Sequence, residues 1–315
     1  MDITAKAAYF VADLLLPLII GYLCRRQQKL GEGFFQQMMT ISVQALYPLL
    51  AVLGAWATRL TAEFAWLPAF GIIASLIPGF FGFIRVKAKY ATSIDQGSYV
   101  IAATLSNGLT LGGVSAFILF GEAGFVYTQL ITLLVAAFTF LVCFPVAQYY
   151  AQSGSGQGTG LTLATVIFNR NQLAVVGLLV GAVLYYYGVP RPTWAGALFD
   201  PLVHLAAWMA LIPVGHSMDF GEMRRYWRDT LELIPIKFVA APVLSYLLAL
   251  PVLADPIALK TVAVVAATPT GILAVITVKM QNLNVHITMA AFIVTTVVYL
   301  LLVFPLQFLL FLRLL

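Results

Sequence analysis

Charge is what this chain has least of. Its 315 residues include only 17 Lys and Arg and 12 Asp and Glu, 9% of the total, against 62% hydrophobic residues. A water-soluble domain carries about a quarter charged residues, so a soluble globular protein of this length is excluded. Disorder is excluded by the same shortage, because a disordered chain is polar and highly charged. Cysteine is nearly absent: Cys24 and Cys143 lie at the ends of apolar stretches. Two such residues form neither a disulfide framework nor a metal cluster and read as small hydrophobes. Also missing are a G-x-x-x-x-G-K-[ST] phosphate loop, H-E-x-x-H, C-x-x-C and N-x-[ST]. Neither an enzyme nor a resident cofactor or metal is therefore expected. The longest polar connections, near 85–97 and 151–160, are too short for a nucleotide-binding domain. The net charge of +5 does not point to nucleic acid, since the basic residues sit in short loops without interleaved aromatics.

What the chain has in plenty is long apolar runs. A helix needs about 20 mostly apolar residues to cross the hydrocarbon core. Runs of that kind fall at 7–24, 36–58, 64–84, 98–120, 125–150, 172–187, 196–217, 231–251, 257–278 and 287–312. Lys6 precedes the first run and Arg25 and Arg26 follow it without a small-x-small cleavage site, so it reads as a spanning helix. Membrane β-strands would alternate in polarity, whereas Val175–Leu184 and Ile293–Phe304 are apolar on every side. With the N-terminus outside, twelve of the 17 basic residues fall on the inner side, from Arg25, Arg26 and Lys29 to Lys279. Five remain outside: Lys6, Arg59, Arg191, Lys260 and Arg313. That bias orients the chain with both termini outside.

Residues 151–160, AQSGSGQGTG, form an uncharged Gly/Ser linker at the midpoint. The flanking segments, 1–150 and 161–315, resemble each other. Phe144-Pro145 recurs as Phe304-Pro305, Thr128 as Thr288 and Gly21 as Gly181, all 160 residues on; Ala102-Ala103-Thr104 recurs as Ala266-Ala267-Thr268, and Gly108 as Gly271. Five spans per half is odd, so the second half enters from the opposite side and the repeats are inverted. Inverted repeats are typical of secondary transporters, whose sites lie where helices are interrupted at matching places. The fourth run carries Ser106, Asn107 and Gly108 at its middle, and the ninth carries Thr268, Pro269, Thr270 and Gly271. Gly and Pro let a helix open, and Asn and Thr side chains replace lost hydrogen bonds. The structural alternative is two kinked helices without a site.

These residues carry a resemblance. LLLPLIIGYLCRRQQKLGEGF, TLSNGLTLGGVSAFILFGEAG, and VAATPTGILAVI followed by TMAAFIVTTVVYLLLVFPL are similar to segments of the auxin efflux carrier (AEC) family, which includes bacterial malate and malonate permeases. The resemblance implies an all-α polytopic protein of ten transmembrane helices, two inverted five-helix repeats in which broken helices 4 and 9 cross near the midplane. It implies secondary active transport of a small carboxylate-like organic anion, with Asn107, Gly108, Pro269 and Gly271 at the crossing. The bile acid–sodium symporters share that architecture and supply a rival reading; a non-transporting receptor on the same fold is another. The sequence departs from many AEC members in having no Pro between Tyr99 and Phe120. The partners expected are the organic anion, H+ or Na+ as coupling ion, the lipid bilayer, and a second copy in a homodimer, in a bacterial inner membrane.

Four other polar residues need placing. Asp13, Pro17 and Gly21 share one face of the first helix. An acid at that depth faces a water path, unless Asp13 stays hydrated at the outer surface. Asp200 and His204, four residues apart, form a candidate proton relay; the alternative is an interfacial anchor beside Trp208. Lys237, near the inner end of the eighth run, is expected to snorkel to the surface.

Overall fold

A computed structural model of the chain describes residues 6, 8–28, 30–59, 61–152 and 173–312. Among these the chain is helices and short connections, and its one β-type pairing is an isolated antiparallel bridge between Ser106 and Thr270. In chain order the helices are α1 (10–27), α2 (Glu32–Ala57), α3 (Ala62–Lys89), α4 (Ser93–Thr104), α5 (108–132), α6 (135–152), α7 (Leu173–Tyr186), α8 (Thr193–Ser217), α9 (Phe220–Thr230), α10 (Leu233–Ala249), α11 (Pro256–Ala266), α12 (Ile272–Met280) and α13 (285–312). Starts are capped where the sequence offers an oxygen. Thr92 accepts the Asp95 amide, Asp255 accepts the Ile257 and Ala258 amides, and Asn284 accepts the His286 amide.

Prolines shape the interiors of these helices. Six turns among the described residues widen to π geometry: Gly108–Gly112, and five others at Phe10–Leu15, Ser42–Leu46, Thr139–Cys143, Ile236–Ala240 and Tyr299–Val303. Each of those five ends two residues before a proline: Pro17, Pro48, Pro145, Pro242 and Pro305. A proline ring clashes with the carbonyl four residues back and offers no N–H. The turn opens by one residue, and the amide just before the proline reaches the carbonyl five residues back, as Ala241 N–H does to Ile236 O. The Phe-Pro pairs noted 160 residues apart therefore carry the same backbone feature.

Among the described residues, five helical stretches are long and apolar enough to cross a bilayer: Glu32–Ala57, Ala62–Lys89, Gly108–Ala151, Thr193–Ser217 and Val285–Phe311. A sixth arises if Arg224–Thr230 and Leu233–Ala249, bent by 53°, count as one. Leu173–Tyr186 and Pro256–Ala266 are apolar but shorter. Large apolar side chains cover the outside, Phe80, Leu179 and Leu301 each being more than 60% exposed. Such a coat suits hydrocarbon, and helices suit it because they satisfy their own backbone groups. The protein is an all-helical, polytopic integral membrane protein.

The chain packs as two compact units. The first comprises Met1–Ala65, Leu109–Leu130 and Phe168–Met218; the second comprises Trp66–Gly108, Ile131–Ile167 and Asp219–Leu315. Each draws on residues from both sides of 151–160. Residues 151 and 152 finish α6; the rest of that linker and residues 161–172 lie outside the described residues. In the first unit Tyr47, Leu50, Phe117, Phe125, Phe199 and Val203 form a buried core. Its helices approach through glycines. A Cβ on Gly21 of α1 would run into the Ile212 carbonyl of α8, and one on Gly181 of α7 would run into the Val52 carbonyl of α2. Small residues at such contacts let backbones come close, which is how helices associate in lipid. The core of the second unit includes Tyr99, Ile101, Leu105, Cys143, Val278, Ile287 and Ala291. There α13 grips α4: the Asn284 amide donates to Ser98 Oγ at 2.8 Å, and its side-chain NH2 donates to Asp95 Oδ1 at 2.7 Å.

Candidate functional site at two interrupted helices

Within the second unit α4 stops at Thr104 and α11 at Ala266, each well inside an apolar run. Stopping a helix there frees backbone groups, and each one left unpaired away from water costs several kcal/mol. The two breaks satisfy each other. Leu105, Ser106 and Asn107 run antiparallel to Pro269, Thr270 and Gly271; the Asn107 amide donates to Pro269 O at 2.8 Å, and the Gly271 amide donates to Leu105 O at 3.0 Å. Glycine at 271 permits this approach, since a Cβ there would sit 3.0 Å from the Ser106 carbonyl group. Threonines take up more of what the breaks expose. Thr270 Oγ1 donates to Ala102 O at 2.9 Å, Thr268 Oγ1 donates to Val265 O at 2.7 Å, and the Thr270 amide donates to Thr295 Oγ1 of α13 at 3.0 Å.

Ser106, Asn107, Gly108, Thr268, Pro269, Thr270 and Gly271 are thus brought to one place although the two groups lie 160 positions apart in the sequence at their nearest. The fourth helix opens without a proline; the exchange of backbone bonds with Pro269 and Gly271 does that work. One polar group is left over. The Asn107 side-chain Nδ2 is buried and makes no hydrogen bond among the described residues.

Lys237 joins this site, against expectation. It does not snorkel: it is fully buried, and its Nζ donates to Ser106 Oγ at 2.8 Å. The widened turn before Pro242 holds it there. Among the described residues it has no ion-pair partner, and 96–121, 233–254 and 256–315 contain no Asp or Glu at all. A cation buried without a counter-charge is among the most costly arrangements a membrane protein holds, and it marks function by default. A signal was available in the sequence: a lysine between Pro235 and Pro242, in a stretch, 233–254, free of acids.

The other candidates lie in the first unit and pair differently from expectation. His204 Nδ1 meets Asp13 Oδ2 at 2.6 Å, not Asp200. Asp13 is 3% exposed, in the widened turn before Pro17, which overturns a hydrated position at the surface. The His204 ring lies 4.4 Å from that of Tyr9 and meets the Phe117 edge at 6.1 Å. Asp200, one turn before His204 on α8, is exposed. Nearby, Arg191 and Glu122 form an ion pair at 2.8 Å. Among the described residues no three His, Cys, Asp or Glu side chains converge as a metal site would require.

No protein-family model and no curated protein sequence matches the chain. Among solved structures it is similar in fold to the sodium proton antiporter MjNhaP1 from Methanocaldococcus jannaschii, with a TM-score of 0.53 at 15% identity, covering 98% of this chain and 100% of that one.

Proposed function

We propose that the protein is a secondary active transporter of the auxin efflux carrier type, moving a small carboxylate-bearing organic anion by alternating access. Its site is where the interrupted helices meet. The observation that carries this reading is the pair of donors at the break: a buried Lys237 amino group with no ion-pair partner among the described residues and a spare Asn107 amide, beside the N-terminus of α12. All three favour negative charge, the helix terminus through its dipole and open amides. The structural neighbour is a secondary transporter, which supports the transport class. Sodium, which that neighbour's name includes, fits this site less well, because hard cations are held by oxygen ligands, commonly carboxylates, and none occurs in the stretches 96–121 and 256–315 that form the break.

A ten-helix plan of two inverted repeats belongs to the same proposal. Gly21 of α1 packs on α8 while its counterpart Gly181 of α7 packs on α2, the reciprocal exchange that two related halves would make. The widened turns Thr139–Cys143 and Tyr299–Val303 recur at the same 160-residue spacing. Both termini lie outside, in a bacterial inner membrane.

The test is flux in proteoliposomes loaded with labelled malonate, malate or indole-3-acetate under imposed proton and sodium gradients. Asn107→Ala and Pro269→Ala should each cut flux at least tenfold while the protein stays monodisperse, and Leu301→Ala, on the lipid side, should leave it unchanged. Normal flux in both crossing variants would refute the site. Binding without flux in the wild type would favour a receptor.

A further inference from the structure

The cost of the buried Lys237 charge points past the substrate to the coupling ion. In the second unit the groups packed around the start of α10 offer nothing to neutralise it. On α3, Arg85 and Lys89 already share Glu232, at 3.3 and 3.6 Å. On α4, Tyr99 lies under Lys89, its ring 5.0 Å from that ammonium. On α13, Tyr299 makes tilted ring contacts with Phe238 and Phe304, and His286 lies at the helix start. Lys260 on α11 and Lys279 on α12 are further cations. None of these lies within ion-pair distance of Lys237, whose one hydrogen bond among the described residues goes to a neutral hydroxyl.

An ammonium in that setting is stable only beside an anion. We infer that Lys237 is an uncharged amine in the empty site and takes up one proton when a carboxylate enters beside Ser106 and Asn107, so that anion and proton cross together. The step balances: amine, carboxylate and a proton from the water on the open side become an ammonium–carboxylate pair with no net charge. Release on the other side returns the proton, and the amine falls back on Ser106 Oγ. The neutral amine retains a partner there, for it can donate to or accept from the hydroxyl. Two opposite charges brought together inside a protein stabilise each other far more than in water, and neither is stable there alone. Binding one therefore requires the other. This inference rests on the anion-transport reading and adds the coupling ion to it.

The experiment uses the full chain in nanodiscs in weakly buffered solution, titrated in turn with the potassium salts of malonate, malate and indole-3-acetate, with binding followed by calorimetry and protons by a pH electrode. In the wild type each bound anion should draw close to one proton from solution. Its affinity should fall about tenfold per pH unit wherever the empty site is unprotonated, as linkage of a single proton requires. Lys237→Met should lose binding. Lys237→Arg, permanently charged, should bind without proton uptake and with affinity independent of pH. Should that variant fail to fold, the wild-type proton count and pH slope decide alone. Carboxylate binding with no proton uptake overturns the coupling and leaves the transport reading intact. Failure of every carboxylate to bind the folded wild type overturns both. Chloride evoking the same uptake identifies an inorganic counter-ion and also overturns the proposal.

Discussion

Replacing Thr295 by valine keeps shape and volume but removes the one oxygen that receives the Thr270 amide at the helix break. Both threonines are fully buried, and the amide is 3.0 Å from its acceptor. No water can replace that oxygen without disturbing a packed interior. A buried donor left unmade costs about 1–3 kcal/mol, and in a chain of this size each kcal/mol moves the melting temperature by roughly 2 °C, so a fall of roughly 2–6 °C is expected. The control is Thr277→Val in α12. Thr277 is equally buried, but its hydroxyl only donates to the Leu273 carbonyl four residues back, within the same helix. Its loss strands no donor, and the melting temperature should stay within about 1 °C, the range of a substitution away from such features. Thr295→Ser keeps the acceptor and should recover most of the loss. The measurement is thermal unfolding in detergent, followed by tryptophan fluorescence at matched concentration. Equal losses in Thr295→Val and Thr277→Val would refute the claim that side chains from α13 satisfy the break.

The pairing of Asp13 with His204 predicts that Asp13→Leu destabilises by about 1–3 kcal/mol, because it strands a partly buried imidazole, whereas Asp200→Leu changes stability by less than about 0.5 kcal/mol; the reverse order in a melting comparison would restore the pairing expected within α8. Gly21→Leu and Gly181→Leu should each lower the yield of folded protein severely, since their side chains would enter the backbones of α8 and α2, while Gly33→Leu, with open space around its Cα, should be tolerated; size-exclusion profiles of the three variants check this. For topology, single cysteines placed at Glu63 and Asp255 in a chain lacking Cys24 and Cys143 should react with an impermeant thiol reagent on intact cells, and one at Gly31 should not; labelling at Gly31 would invert the orientation proposed from the basic residues.

Membrane residence, the helical class and the places where helices would open were legible in the residues, because each rests on local chemistry. Twenty apolar residues cross a bilayer whatever surrounds them, and Asn, Gly, Thr and Pro weaken a helix wherever they cluster. Five of the six widened turns are local too, since each of those follows from a proline two residues beyond its end. Pairing was not legible, because it depends on which faces of distant helices meet. Asp13 and His204 lie 191 residues apart; the four-residue spacing of Asp200 and His204 suggested a partner within α8, whereas the imidazole pairs across to α1. Lys237 shows the same limit most sharply. Its place near the end of an apolar run predicts a side chain reaching for water, and the run itself is unchanged by the alternative. Only packing decided that the amino group points inward to Ser106, because the widened turn before Pro242 aims it at a break whose flanking stretches, 96–121 and 256–315, carry no acid.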